Sequence, residues 1–514
     1  MQKRYYSIID IGSNSMRLVI YVQQNSGRLH EVENVKAVAR LRNYLDDDQM
    51  LTQVGIDILI DTLKSFKEVL KTYQLTNFVC AATATIRQAE NKQDLKKMVK
   101  EQIGWEMWIL SEQKEAYYGY LAVVNSTSIT EGVTVDIGGG STEVTYFKDR
   151  KLMESYSFGF GALTLKEFIS PEKSLEKGLA NMREYIYGQF STYSWLKDRN
   201  IPLIGIGGSA RNMAQIDQNM NKYPLAGLHQ YKMNGSDIAK ISNYLSSLSW
   251  GEMQKVEGLS KDRSDSILPA VEVFHCLFQT IQADCFVLSR KGLRDGIFYE
   301  QLYQDHVTPI LPNVLEDSIQ ELINDYSLNV KQISHVQYLT RKLFNNLQAK
   351  GMASLTKQDW QMLELASNVF YLGDYIDSES SSQHTFYLLA NRTIDGIMHV
   401  DRLKLALVAS FKNKTIFKQF LAPFKHWFLK EERKKLRMLG AMLKFTYSLD
   451  ATKRQVVQDF YLKVKGDTIH LTLHCNNDYM PEAYQAEKQK KHLEKMVHKH
   501  IELTFTDIRY GVSH

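Results

Sequence analysis

One short pattern that occurs twice constrains this 514-residue chain more than any other feature. Residues 10–15 read Asp-Ile-Gly-Ser-Asn-Ser, and residues 136–141 read Asp-Ile-Gly-Gly-Gly-Ser. The two copies are a domain's length apart, as expected of a duplicated folding unit. Each follows an apolar run, Tyr6 to Ile9 and Val133 to Val135. Each leads into a β-rich segment, Arg17-Leu-Val-Ile-Tyr-Val and Glu143-Val-Thr-Tyr-Phe. Strand, Gly/Ser turn, strand is the simplest reading of both. Glycine at such a turn lets the backbone bend tightly and approach a ligand closely.

The stretch between the copies alternates helix and strand patterns. Ile58, Leu59, Leu63, Phe66 and Leu70 lie on one face of a helix predicted over Asp57 to Tyr73. A short strand over Asn77 to Ala82 leads to Thr83-Ala-Thr-Ile-Arg87, and another is expected over Trp105 to Leu110. Ser111 is placed to cap the helix after it. A strand over Leu203 to Ile206 opens a third glycine-rich turn, Gly205-Ile-Gly-Gly-Ser209. Such alternation argues for an α/β region. From about residue 310 to 450 the pattern is nearly continuous helix. A hairpin over Val456 to His474, a Lys-rich helix and a last strand over Ile501 to Phe505 complete the chain.

With 44% hydrophobic and 24% charged residues, the chain reads as an ordinary globular protein. Cys80, Cys276, Cys285 and Cys475 are scattered without a CxxC pair, so neither a disulfide framework nor a zinc site is expected. The opening segment runs straight into a strand-like stretch without an apolar signal core, and no run of about 18 apolar residues occurs. A cytoplasmic protein that spans no membrane is the expectation. A net charge of +5 suits a polyanionic ligand but does not identify one.

Backbone N–H groups in Gly/Ser turns form concave anion sites, to which the hydroxyls of Ser13, Ser15, Ser141 and Ser209 would add donors. Asp10, Asp136 and Glu143 cannot cradle phosphate themselves. They could hold Mg²⁺ between themselves and phosphate oxygens; the two aspartates could equally cap their turns, and Glu143 could face solvent. Arg87 could stabilise charge on a phosphoryl group, and Glu115 could orient a water, although either residue type also sits commonly on a helix surface. The basic runs Phe424 to Arg437 and Lys488 to His492 are usual solvated helix faces or a guide for a polyanion.

Taken in order, Asp10-Ile-Gly-Ser-Asn-Ser15, Ala82-Thr-Ala-Thr-Ile-Arg87, Val135-Asp-Ile-Gly-Gly-Gly-Ser-Thr-Glu143 and Gly205-Ile-Gly-Gly-Ser209 resemble the exopolyphosphatase / guanosine pentaphosphate phosphatase family. Gly159-Phe-Gly-Ala162, Arg263-Ser-Asp265 and Gly292-Leu-Arg-Asp-Gly296 add to the likeness. It implies two actin-like, ribonuclease-H-like lobes over residues 1–125 and 126–305. A helical HD-like domain over 306–450 and a small α+β domain over 451–514 would follow.

The same resemblance implies substrate contacts from Ser13, Asn14 and Ser15 on one side and Gly139, Gly140 and Ser141 on the other. Gly207, Gly208 and Ser209 of the third turn join them. Arg87 would bind phosphate, Asp136 and Glu143 would hold Mg²⁺, and Glu115 would activate water. Many relatives carry two adjacent glutamates where this chain has Lys114-Glu115. The stretch Val369 to Tyr375 lacks the His-Asp pair of HD hydrolases, so no second hydrolytic centre is expected there.

The resulting expectation is an Mg²⁺-dependent exopolyphosphatase acting on inorganic polyphosphate, without nucleic-acid partners and as a homodimer. Hydrolysis of guanosine pentaphosphate is the nearest alternative. A non-catalytic binder of alarmone nucleotides or polyphosphate is another. An actin-fold kinase would need an adenosine-pocket signature, and none is evident.

Overall fold

The computed structural model describes residues 4–23, 29–169, 174–303 and 307–508. The chain divides into two compact units, Met1–Tyr223 with Leu228–Leu315, and Pro224–Gly227 with Glu316–His514.

The first unit contains two sheets. One is built from β1 (Tyr5–Ile11), β2 (Met16–Gln23), β3 (Leu29–Ala37), β4 (Leu75–Ala82) and β5 (Met107–Ile109), in the order β3-β2-β1-β4-β5. The other contains β6 (Gly132–Ile137), β7 (Thr142–Lys148), β8 (Lys151–Phe158), β9 (Leu203–Ile206), β10 (Lys232–Met233) and β11 (Phe286–Leu288), in the order β10-β11-β9-β6-β7-β8. In each sheet three antiparallel strands are followed by two that join parallel to the first, and the second sheet adds β10, antiparallel, at its edge. The repeat seen as six residues in the sequence is therefore a repeat of a whole lobe, with β6 standing where β1 stands. The glycine at residues 205–208 does not make a hairpin. β9 runs directly into the helix Gly207–Met220.

Side chains on a strand alternate between faces, and both faces of the first sheet are covered. Ile9, Ile11, Leu18 and Ile20 pack under the helix Gln53–Leu70, which turns Ile56, Leu59, Leu63 and Phe66 toward them. Each such side chain contributes roughly 1.5–3 kcal/mol when fully buried. Ile8, Val19, Val79 and Ala81 face the other way, onto Tyr118, Ile297 and Phe298. Tyr118 belongs to the helix Glu112–Val124, which also packs on β6, β7 and β8. This helix thus lies between the two lobes. The helix Leu293–Leu302 crosses it at Gly296, where a Cβ would lie 2.0 Å from the Tyr118 carbonyl oxygen. Tyr118 donates its phenolic O–H to Glu300 at 2.5 Å, and Lys114 pairs with the same carboxylate at 3.0 Å.

The second unit is helical as far as residue 448, including Val330–Ala349, Lys357–Asn368, Ser381–Asn391, His399–Ala409 and Lys430–Ser448. It ends in a sheet ordered β12-β13-β14: β12 (Val457–Lys465), β13 (Thr468–Cys475) and β14 (His500–Asp507). The helix Met480–Val497 carries the chain from β13 to its parallel neighbour β14. The alternating burial of β13 gives it one buried and one half-buried face. Among the described residues, the four cysteines are free and buried, and no helix is long and apolar enough to cross a membrane.

Candidate active site

The two repeated turns have the same geometry. Gly12 N–H donates to Ser15 O at 3.2 Å, and Gly138 N–H donates to Ser141 O at 2.9 Å. They face one another across the first unit: a Cβ on Gly139 would come 3.5 Å from Ser13 Cβ. Between them lies a cleft of about 210 Å³, bordered by Ser13, Asn14, Ser15, Gly139, Ser141 and Glu115.

The copies differ where it matters chemically. In the first hairpin Asp10 stands opposite Arg17; in the second, Asp136 stands opposite Glu143. Like charges directly opposite on neighbouring strands repel. Both carboxyls are held above their ordinary range, mainly by burial. Asp136 is pushed up to about 6, with Arg263 opposing and Asp10 adding to the rise. Glu143, 4% exposed, is pushed well up by burial and by the nearby Glu115. Ser157 donates to Glu143 at 3.0 Å and partly offsets this. Among the described residues no three acidic, histidine or cysteine side chains form a ready-made cage for a metal ion. Mg²⁺ needs no such cage, because it takes one or two carboxylates and completes its shell with water and substrate oxygens. Two carboxylates crowded on facing strands fit that requirement.

Glu115 enters the cleft from the first turn of the helix Glu112–Val124. That helix starts where expected, with Ser111 Oγ accepting from Lys114 N–H at 3.2 Å. Arg87, on the short helix Ala84–Gln88, donates through Nη1 to Glu115 Oε2 at 2.8 Å and to Leu110 O at 3.0 Å. Burial pushes the Glu115 carboxyl up to about 7; Arg87 pulls it down, and Asp136 and Asp10 push it up further. The remaining Arg87 donors, Nε and Nη2, are buried with no hydrogen-bond partner among the described residues. Leaving buried donors unmade is costly; Nη2 also lies 3.8 Å from Glu112 Oε1, and Arg87 sits behind Glu115 rather than on the border of the cleft.

The third glycine-rich segment and Gly140 do other work than bordering the cleft. Gly207 has φ +80°, and a Cβ there would lie 2.3 Å from Asp136 Oδ1. A Cβ on Gly208 would lie 2.3 Å from Arg263 Nη2. Ser209 Oγ donates to Ile137 O at 3.3 Å and accepts from Arg263 Nη1 at 3.0 Å. These three residues seat Asp136 and Arg263 rather than reaching into the cleft themselves. Gly140 is buried against Arg42, whose Nη1 donates to Gln88 at 2.6 Å.

Spacing alone does not reveal the positive charge around this site. Arg263 borders the cleft. Arg17, Arg211, Arg263, Arg290 and Arg294 crowd one another closely enough that Arg211 is lowered to about 10, first by burial and then by the other four. Arg211 Nε and Arg294 Nη1 are buried without partners among the described residues. Arg294 Nε lies 3.9 Å from Asp10. At the cleft's border, Asp262 bridges the lobes through Lys36 at 2.7 Å and Asn14 Nδ2 at 3.5 Å.

Comparison with known proteins places these features in context. The sequence model of the Ppx/GppA phosphatase family matches residues 19–305, and that of Ppx/GppA phosphatase, domain III, matches residues 314–503. The crystal structure of the Aquifex aeolicus Ppx/GppA family member is 25% identical, with a TM-score of 0.54 over 60% of this chain and 100% of its own. The type II variant of the Aquifex aeolicus phosphatase is 26% identical, with a TM-score of 0.50 over 57% of this chain and 98% of its own. An exopolyphosphatase from Cytophaga hutchinsonii, 21% identical, shares the fold with a TM-score of 0.54 over 60% of this chain and 100% of its own. These likenesses bear out the expected actin-like α/β lobes with helical and small α+β parts after them.

Proposed function

The chain belongs to the Ppx/GppA phosphatase family, and we propose that it hydrolyses the terminal phosphate of inorganic polyphosphate with Glu115 as the general base. The observation that carries this reading is Glu115, fixed by Arg87 at 2.8 Å, on the border of the cleft where the two repeated turns meet.

In the proposed reaction the terminal phosphate sits between residues 12–15 and 138–141. Backbone N–H groups and the Arg87 guanidinium take its oxygens. Glu115 orients a water and accepts its proton as the water oxygen bonds to phosphorus. The bridging P–O bond breaks, releasing orthophosphate and a chain one unit shorter. Preorganised donors of this kind are worth about 10²–10³ in rate each. Asp136 and Glu143 would hold Mg²⁺, which when bound supplies positive charge to phosphate oxygens.

A lysine group in the helical unit supports a long polyanion as substrate. Lys444, which donates to the Lys412 carbonyl, is lowered to about 8 by burial and then by Lys412, Lys491 and Lys488. The neighbouring His492 ring is lowered to about 4 by burial and by Lys444, Lys491 and Lys495. The end of the first basic run, from Lys430, and the whole of the second lie on helices that pack together, Lys430–Ser448 and Met480–Val497. Crowded ammonium groups of this kind gain from a bound polyanion.

The second reading, hydrolysis of guanosine pentaphosphate, draws on the arginine group around Arg211, which suits any ligand with several phosphates close to the cleaved one. Phosphate release from polyphosphates of graded length and from guanosine pentaphosphate, with and without Mg²⁺, tests both. Faster turnover of long chains supports the first; turnover of the nucleotide alone replaces it with the second.

A further inference from the structure

The helical unit has a cavity of its own, of about 230 Å³, where the helices Val330–Ala349 and Lys357–Asn368 meet the segment after Asn368. Five aromatic residues line it: Tyr326, Phe370, Tyr371, Tyr375 and Tyr447. Phe370 stacks on Tyr371 at 4.2 Å and meets Tyr447 at 4.9 Å, forming one group of rings. Tyr326 and Tyr375 form a second, edge to face at 5.3 Å. The cavity is below the roughly 300–1,000 Å³ of drug-sized pockets.

Three lining residues, Ser327, Tyr371 and Lys453, have left-handed backbone angles, with φ of 49°, 54° and 61°. Such conformations are unfavourable for side-chain-bearing residues, most of all a bulky one, and they gather at ligand sites.

Most polar groups around the cavity are already engaged. Gln332 Nε2 donates to Asp450 O at 3.0 Å, Ser367 Oγ to Glu364 O at 2.6 Å, and Tyr371 O–H to Phe411 O at 3.0 Å. Asp374, an exposed residue at the cavity's mouth, takes part through its carboxylate in no hydrogen bond or ion pair among the described residues. It lines the same cavity as the rings, and Tyr371 and Tyr447 are both raised, by burial first and then by Asp374. Lys453 is the other charged lining residue, so charge on the lining balances. That separates this cavity from the lysine- and arginine-rich surroundings that suit polyphosphate.

We infer that this cavity binds a purine nucleoside through stacking on its aromatic walls and N–H donors presented to Asp374. A purine is planar, of the right size, and offers both a π-face and edge N–H groups; a carboxylate can only accept. The inference is independent of the phosphatase reading, since every residue involved lies between 326 and 453.

Calorimetric titration of the full chain with guanosine and with adenosine, neither carrying phosphate, tests it. Saturable binding of at least one is expected. Asp374→Asn and Tyr375→Ala should each weaken it at least about tenfold. Both sites are exposed, Tyr375 at 63%, so folding and basal phosphate release should be retained. Failure of both nucleosides to bind up to their solubility limits would overturn the inference. So would binding that survives both substitutions.

Discussion

Arg87 Nη1 lies 2.8 Å from Glu115 Oε2 and 3.0 Å from the carbonyl oxygen of Leu110, so one guanidinium ties the carboxylate to the strand end beside it. The bond fixes where the carboxylate points. Glu115→Gln keeps the shape and removes the base. Phosphate release should fall by about 10²–10⁴, while thermal stability and polyphosphate binding persist. Near-normal turnover in that variant would remove Glu115 from the mechanism.

The pH profile follows from the same pair. A general base must be deprotonated, and burial lifts Glu115 to about 7 against the pull of Arg87. The value of kcat/KM for the free enzyme should therefore rise with pH and level off above about 7. Arg87→Met removes the downward pull, so the rising limb should move to higher pH as activity drops. A limb that stays in place would mean another group controls it.

The carboxylate pair on β6 and β7 should cost the metal-free protein stability. Asp136 titrates near 6 when folded against an ordinary 3.8. The folded state thus favours its protonated form, so the penalty appears as pH rises above 3.8 and is complete above about 6. At neutral pH Asp136→Asn should stabilise the metal-free protein by on the order of 2–3 kcal/mol. Added Mg²⁺ should raise the melting temperature of the native chain and leave that of the variant nearly unchanged. Calorimetric melting with and without the ion checks both.

Gly207 supplies a backbone test. With φ +80° and Asp136 Oδ1 2.3 Å from where a Cβ would lie, Gly207→Ala should destabilise by about 1 kcal/mol or more and displace Asp136. Activity should fall with it. Gly159 has nothing within 4 Å of its would-be Cβ, so Gly159→Ala should melt and turn over like the native chain.

Much of this arrangement could be read from residue order. The duplicated Asp-Ile-Gly pattern marked both hairpins because a tight turn between two buried strands leaves a local signature. The cap at Ser111 and the hairpin at Gly466 are local in the same way. β3 and β8 escaped because each lies at a sheet edge. β8, Lys151–Phe158, is mostly exposed and has no apolar alternation to betray it. The arginine group escaped for another reason: Arg17, Arg211 and Arg294 meet only through the fold, and even the motif around Arg294 does not tell what that side chain meets. Gly207 to Ser209 were legible as special but not in their role, because seating Asp136 and Arg263 depends on chain segments 71 and 54 residues away.

The close crossing at Gly296 limits how the molecule can be divided. Every residue bordering the cleft lies at or before Leu293, so a recombinant fragment ending there would keep the whole rim. It would also lack Ile297 and Phe298, which cover Tyr118, and Glu300, which holds its hydroxyl. The helix bearing Glu115 would then lie against solvent along one side. A minimal hydrolytic fragment has to extend through Leu302, past the last residue that borders the cleft.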